Sequence, residues 1–251
     1  MTGKRILILG GTSEAMALAR ALAEQPEIDA IMSLAGRTGH PVRPPIAHRI
    51  GGFGGVDGLV AYLKENSVAA LIDATHPFAA QMTWNAAEAC NGLGVPRLVF
   101  TRPAWRPSDG DQWISVTDTE AAVDALGGLP RKVFLTVGRL SLPVFKRAPQ
   151  HHYLMRSIDA PDEPDRPPQM ELILARGPFD IRAEKGLMTT HGIDIVVTKN
   201  SGGSATDAKL AAARELGLPV IIIDRPTMPD SRVVYSLDDV MEFIEAHRPP
   251  P

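Results

Sequence analysis

The sequence predicts an α/β protein of two Rossmann-like domains with mainly parallel sheets and an interdomain cleft. Three observations carry that expectation. The chain opens with a strand, a glycine turn and a helix; strand-length apolar runs alternate with helix-period segments along its length; and its two halves echo one another. With 251 residues, 44% of them hydrophobic, it can build one large core or two small ones.

The opening unit runs from Ile6-Leu7-Ile8-Leu9 through Gly10-Gly11-Thr12-Ser13-Glu14-Ala15 to a helical stretch reaching Leu22. A short apolar strand followed by glycines, hydroxyls and a helix start offers backbone N–H groups and a helix dipole to a phosphate, which points to a nucleotide. The dinucleotide fingerprint wants glycine at the first, third and sixth positions of this turn, where the chain has Gly10, Thr12 and Ala15. Ala15 still permits close helix–strand packing, and the hydroxyls of Thr12 and Ser13 are expected to take over part of the phosphate contact. Glu14 would repel a phosphate and is expected to point away from it. Glycine turns of this kind also occur in α/β proteins that hold no nucleotide. The next strand, residues 28–34, ends at Ala35-Gly36-Arg37. The residue past that strand reads the adenosine ribose in a dinucleotide fold, and an arginine suits the extra phosphate of NADP.

Further along, residues 69–74 read as a strand, 77–93 as a helix stopped by Leu93-Gly94-Val95-Pro96, and 97–101 as the following strand. The pattern continues with a strand at 114–117 and a helix at 119–126. Later strands are expected at 132–137, 153–157, 172–175, 193–198, 220–224 and 233–236, with an exposed proline-rich loop at 161–168. The echo aligns Leu71-Ile72-Asp73-Ala74-Thr75 and Arg102-Pro103 with Asp194-Ile195-Val196-Val197-Thr198 and Arg225-Pro226, at an offset of 123 residues. Similar punctuation in any strand–helix–strand unit is the alternative explanation of it. Taken as a true repeat, it divides the chain near residue 128 into a cofactor-binding domain, 1–128, and a domain completing the substrate cleft, 129–251.

Ligands of open α/β sheets sit at the carboxyl ends of the strands, and the chemistry-bearing residues cluster there. Thr75 and His76 end one strand; His76 is a candidate proton donor or a cap for the helix that begins at Pro77. Arg102 and Trp105 pair a cation with a flat apolar ring, or stand as a surface pair. Arg139 follows Gly138, Arg176 follows the 172–175 strand, and Thr198-Lys199-Asn200-Ser201-Gly202-Gly203-Ser204-Ala205-Thr206 leads into a helix containing Lys209. A lysine, an amide, hydroxyls and two glycines at a helix entry make a concentrated anion site.

Taken together, Gly10-Gly11-Thr12-Ser13-Glu14-Ala15, Asp73-Ala74-Thr75-His76-Pro77-Phe78-Ala79, Arg102-Pro103-Ala104-Trp105, Ala175-Arg176-Gly177-Pro178-Phe179 and Thr198-Lys199-Asn200-Ser201-Gly202-Gly203 resemble the precorrin-6A reductases of cobalamin biosynthesis, in order and spacing over essentially the whole chain. The resemblance implies NADPH-dependent reduction of one double bond of the precorrin-6A macrocycle to precorrin-6B. Reductases of the cobalt-loaded intermediate share these motifs, so the metal status of the substrate stays open. Gly10, Gly11, Thr12, Ser13, Gly36, Arg37 and Thr75 are then expected to hold NADPH. Arg102, Trp105, Arg139, Arg176, Lys199, Asn200, Ser201 and Gly202 are expected to grip the macrocycle and its carboxylates, with Phe78 or Trp105 against the ring. The 198–203 loop could instead reach the cofactor's phosphates. A tetrapyrrole-derived small molecule is the expected partner, with hand-over to neighbouring pathway enzymes.

Composition narrows the alternatives. The balance of 26 basic and 29 acidic residues, with 5% aromatics and no basic cluster, lacks the footprint of nucleic-acid binding. No signal pattern opens the chain and no apolar run approaches the ~20 residues of a membrane helix, so the cytoplasm is the expected compartment. The lone Cys90 reads as a buried structural thiol, and the seven histidines lack metal-ligand spacing, so no metal centre is expected. A short-chain dehydrogenase would carry lysine four residues after a tyrosine; the three tyrosines are followed there by Asn66, Ser157 and Asp239. A non-enzymatic NADP sensor is the rival of another class, and would not need the cationic strand ends.

Overall fold

The computed structural model describes residues 5–36 and 42–247. Its strands are β1 (Arg5–Leu9), β2 (Ala30–Leu34), β3 (Ala47–Ile50), β4 (Val68–Asp73), β5 (Arg97–Phe100), β6 (Gln112–Val116), β7 (Lys132–Thr136), β8 (His152–Ser157), β9 (Met170–Leu174), β10 (Ile195–Lys199), β11 (Pro219–Ile223) and β12 (Arg232–Val234). The helices are α1 (Ser13–Ala23), α2 (Val56–Glu65), α3 (Ala80–Leu93), α4 (Thr119–Leu126), α5 (Ile181–His191), α6 (Ala208–Leu216) and α7 (Leu237–His247), with a 3-10 stretch over Arg139–Arg147. Two six-stranded sheets result, ordered β3-β2-β1-β4-β5-β12 and β9-β8-β7-β10-β11-β6. All their neighbouring pairs are parallel. Each order is the doubly wound one, which turns back on itself at β1 in the first sheet and at β7 in the second.

The central strands explain their own composition. In β1, Ile6 and Ile8 face a core shared with Leu18 and Leu22 of α1 and Val240 and Ile244 of α7. Leu7 and Leu9 face the opposite core, with Leu59 and Leu63 of α2 and Ala86 and Cys90 of α3. A strand buried on both sides reads as an unbroken apolar run. In the second sheet, β7 and β10 give Phe134 and Val196 to a core closed by Met188 of α5 and Leu210 of α6. Fully burying one such side chain contributes about 1.5–3 kcal/mol. The Cys90 thiol is buried as expected, and desolvation pushes its pKa up to about 12, with Arg97 opposing and Asp73 adding to the shift.

The units are not two consecutive halves. One comprises Met1–Pro103 with Thr227–Pro251, and the other Ala104–Pro226. A single cut at residue 128 is therefore corrected: β6 and α4, read as the end of the first domain, belong with β11, whereas β12 returns to pair with β5. Each crossing follows one of the echoed Arg-Pro pairs, Arg102-Pro103 and Arg225-Pro226. The echo also needs a correction in register. Its offset of 123 residues relates Gly94 to Gly217, which close α3 and α6 in the left-handed conformation. It relates Arg97 to Val220 as well; but Leu71 lies beside Arg97 and Val196 beside Val220, so β4 and β10 correspond at 125. Thr75 thus matches Asn200, not Thr198.

Two elements between residues 42 and 68 have no counterpart in the sequence expectations. β3 is an edge strand whose Ala47, His48 and Ile50 are exposed, and it lacks the apolar run that marks the inner strands. The 161–168 loop likewise contains a short 3-10 turn, Glu163–Asp165, and buries Pro161 and Pro167.

The exchange of sixth strands makes a direct prediction. A fragment of residues 1–128 leaves β5 without β12 and β6 without β11, and should show no cooperative urea transition by circular dichroism. The contiguous fragment 104–226 contains every strand of its sheet and should retain one; the reverse pattern would refute the exchange.

Candidate functional site

Because the sheets are parallel, all loops that follow strands emerge at one edge of each sheet. In the first unit that edge carries the turn after β1, Gly36 after β2, the loop after β3, Thr75 and His76 after β4, and Arg102 after β5. Gly10 packs so closely that a Cβ would stand 2.7 Å from the sulfur of Met32. Gly11 has φ +122°, which side chains rarely adopt, and nothing lies within 4 Å of where its Cβ would be. The turn is thus open on one side and followed by a helix whose first N–H groups have no intrahelical acceptors, an arrangement that fits a phosphate.

The hydroxyls at this edge are used differently from the expectation. Thr12 Oγ1 accepts from Ala15 N–H at 3.1 Å, capping α1, and donates its proton to Ala74 O at 2.7 Å. It braces β1 against β4 across the point where the strand order reverses. Ser13 Oγ donates to Glu14 at 3.2 Å. Thr75 donates both its Oγ1–H, at 2.7 Å, and its N–H, at 3.1 Å, to Asp73 Oδ1. Each hydroxyl has spent its one proton, so what this edge offers a phosphate is backbone N–H groups, and Thr75 Oγ1 is left with acceptor capacity only. Asp73 is 2% exposed, and its other carboxylate oxygen has no hydrogen-bond partner.

Glu14 does not simply turn away. Arg102 Nη1 lies 2.6 Å from its carboxylate, with both side chains largely buried. A carboxylate that would repel phosphate is thereby neutralised at the helix entry. Neither residue alone signals this, because the partners are 88 positions apart. His76 Nδ1 accepts from Phe78 N–H at 3.2 Å, so the neutral ring carries its proton on Nε2. Its ring lies 5.9 Å from that of Phe78.

A second glycine-rich loop, Gly51-Gly52-Phe53-Gly54-Gly55, follows β3 and enters α2. Gly51, Gly54 and Gly55 all have positive φ. Arg49 organises it, donating to Gly51 O at 2.8 Å, Gly52 O at 3.1 Å and Ser33 Oγ at 2.7 Å, with its guanidinium 4.2 Å from the Phe53 ring centroid. The density of glycines was the signal available in the sequence. Gly36 stands beside this loop, with φ +69°. Arg37, the expected reader of the extra phosphate, lies outside the described residues.

In the second unit the carboxyl edge carries Arg139 after β7, Arg176 after β9, and the loop after β10. Lys199 Nζ donates to Ser141 Oγ at 2.8 Å, and burial pushes its pKa down. Asn200 is buried and bridges the backbone of Trp105: its Oδ1 accepts from Trp105 N–H at 2.8 Å and its Nδ2 donates to Trp105 O at 3.1 Å. The indole Nε1–H donates to Gly203 O at 2.8 Å. Arg225 grips the same loop from the other side, donating to Asn200 O at 3.0 Å and Ser201 O at 3.1 Å. Gly202 and Gly203 turn it with φ of 71° and 74°. Gly177 is required next to it, since a Cβ would stand 2.7 Å from Ala205 O. Trp105 and Asn200, expected as ligand contacts, are thus the struts of the loop, while Lys199 and Ser201 are its half-buried polar members.

A groove of this unit, about 880 Å³, runs along α5 and α6 instead of across the strand ends. Its four cations, Arg106, Arg182, Lys185 and Arg214, are matched by Asp111, Asp180, Asp207 and Glu215. Arg214 pairs with Asp111 at 2.9 Å and Lys185 with Glu215 at 2.6 Å. A polycarboxylate finds no surplus of positive charge there. The strand-end loops remain the better anion site. Among the described residues, no helix is long and apolar enough to cross a membrane.

Comparison with known proteins identifies the family. The profile of the family described as Precorrin-6x reductase CbiJ/CobK matches residues 5–245. A precorrin-6A reductase from Rhodobacter capsulatus is 49% identical over 243 residues, covering 97% of this chain and 96% of that protein. A cobalt-precorrin-6A reductase from Priestia megaterium is 29% identical over 250 residues, covering 95% and 97%. A solved structure titled CobK precorrin-6A reductase superposes with a TM-score of 0.91 at 49% identity, covering 97% of each chain. The chain belongs to the precorrin-6x reductase family.

Proposed function

We propose that the protein reduces one C=C bond of the precorrin-6A macrocycle to give precorrin-6B in cobalamin biosynthesis, using NADPH and working in the cytoplasm. The observation that carries this reading is the family match over residues 5–245, within which every motif described above falls at the carboxyl edge of a sheet. The metal-free macrocycle is favoured over the cobalt-loaded one because identity is 49% to a precorrin-6A reductase and 29% to a cobalt-precorrin-6A reductase. When bound, the nicotinamide supplies a hydride, which with one proton saturates the double bond.

The chain's own residues position and neutralise. The Gly10–Gly11 turn and the start of α1 hold the pyrophosphate. Arg102 cancels the charge of Glu14 beside it. Arg37 after β2 recognises the ribose phosphate that distinguishes NADPH from NADH. Thr75 Oγ1 accepts a hydrogen bond from a cofactor hydroxyl or amide, because Asp73 has taken its proton. Arg139, Arg176 and Lys199 bind the carboxylates of the macrocycle, and His76 Nε2–H is the candidate proton donor.

The decisive assay mixes the protein with precorrin-6A and NADPH or NADH, following nicotinamide absorbance and product mass. Oxidation of NADPH with a gain of two hydrogens is expected; oxidation only with the cobalt-loaded substrate, or with neither, would overturn the assignment. Arg37→Ala should weaken NADPH far more than NADH, and equal weakening would remove Arg37 from the phosphate site. His76→Ala should lower kcat by about a hundredfold if it is the donor, leaving NADPH affinity unchanged; normal turnover would exclude the role.

The Glu14–Arg102 pair gives a separate test. Arg102→Met should weaken NADPH about tenfold by uncovering a carboxylate at the helix N-terminus. The Glu14→Gln/Arg102→Met double variant should recover most of that loss in a fluorescence titration. Recovery of nothing would mean that Arg102 acts on a ligand directly.

A further inference from the structure

The second unit buries a cation that none of the steps above uses. Lys209, in the first turn of α6, is 3% exposed. Its Nζ donates to Thr206 O at 2.5 Å and lies 4.7 Å from the centroid of the Trp105 ring. Trp105 is in turn bonded to Gly203 O through its indole and to Asn200 through its backbone. One ammonium therefore holds the 198–206 loop at both ends, directly at Thr206 and through an aromatic ring at Asn200 and Gly203.

Packing does not call for a lysine here. α3 and α6 end on left-handed glycines 123 positions apart, and the residue in the first unit that corresponds to Lys209 is Ala86, fully buried against its own sheet. A methyl group satisfies the same helix-on-sheet position. Removing an ammonium from water is costly unless something compensates it. The charged groups facing Lys209 are Arg156 on β8, Glu184 on α5 and Asp207 at the entrance to α6. Arg156 repels it and is already paired with Glu184. Glu184 and Asp207 attract it, and one oxygen of Glu184 has no hydrogen-bond partner.

We propose that Lys209 is a positioning residue for the anion-binding loop, its ammonium clamping Thr206 and Trp105 so that Lys199, Ser201 and Gly202 are held ready for substrate carboxylates, and its deprotonation releasing the clamp. The readiness for substrate carboxylates rests on the reading of this loop as the substrate site; the clamp and its release do not. Attraction to the ring and a charge-assisted bond to the carbonyl both require the positive charge. Desolvation, with Arg156, pushes the Lys209 pKa down to about 7 from its ordinary 10.5. The clamp is thus poised to open around neutral pH.

Loop order and overall stability should then move in opposite directions. Below about pH 7 Lys209 is charged in both the folded and the unfolded chain, and folding bears the full cost of burying it. From about 7 to 10.5 the unfolded chain holds a proton that the folded one lacks, so the contribution of this group to stability rises with pH while the clamp is lost. A residue serving only to stabilise the fold would not separate the two.

The test uses the full chain carrying Trp84→Phe and Trp113→Phe, which leaves Trp105 as the only tryptophan. Its fluorescence should titrate with a midpoint near 7; adding Lys209→Met should abolish that midpoint, and Lys209→Arg should keep the low-pH signal throughout. Denaturation of the Lys209→Met chain should lose the rise in stability between pH 7 and 10 that the parent shows. With precorrin-6A, Lys209→Met should raise KM about threefold or more with little change in kcat, and Lys209→Arg should restore it. A fluorescence titration unchanged by Lys209→Met would overturn the clamp, and if that variant does not fold, a surviving midpoint in Lys209→Arg would do the same. Fluorescence as expected with an unaltered KM would overturn its link to substrate, and absence of any precorrin-6A reduction in the parent would fault the assigned reaction without touching the clamp.

Discussion

The pairing of β5 with β12 and of β6 with β11 is the constraint on which the rest of the molecule depends. These ladders complete the two sheets, each with a strand that the chain delivers after crossing between units. Once both sheets are six-stranded and parallel, their strand-following loops are gathered at one edge. The glycine turn after β1 is braced to β4 by Thr12, and the loop after β10 is braced by Trp105 and Arg225. Trp105 and Arg225 are the residues flanking the two crossings, so the segments that carry the chain from one unit to the other also stiffen the loop that gathers anion-binding groups.

The two units use this architecture for different chemistry. In the first, hydroxyl protons are committed inward, to Ala74 and Asp73, leaving main-chain N–H groups and a neutralised Glu14–Arg102 pair around an open glycine turn. That suits a phosphodiester, which is recognised by dipoles as much as by charge. In the second, cations stand at the ends of β7, β9 and β10, and a buried lysine underlies their loop. That suits several separate carboxylates.

Much of this was legible in the sequence because the inner strands are buried on both faces and spell unbroken apolar runs. β1, β4, β7, β10 and β11 fall within two residues of expectation for that reason. β3 was not legible, since an exposed edge strand containing His48 and Arg49 has no such run, and the glycine loop behind it went unread. The division at residue 128 failed because an exchange of strands leaves no mark on local pattern; only pairing reveals it. Site residues were legible as types at strand ends, while their partners were not. Glu14 and Arg102, or Asn200 and Trp105, meet across 88 and 95 positions, and nothing in either neighbourhood announces the other.

The same connectivity imposes an order on synthesis. The second unit is complete once residue 226 has been made, whereas the first, although begun earlier, waits for residues 232–234 at the far end of the chain. During that interval β5 is an open parallel edge, its N–H and C=O groups available to any extended segment. The growing chain must therefore keep its N-terminal sheet unfinished while a whole domain folds within it, and aggregation during biosynthesis is most dangerous at this edge. Emergence of β12 and α7 is what completes the first unit, so a truncation that removes them injures the part of the protein encoded first.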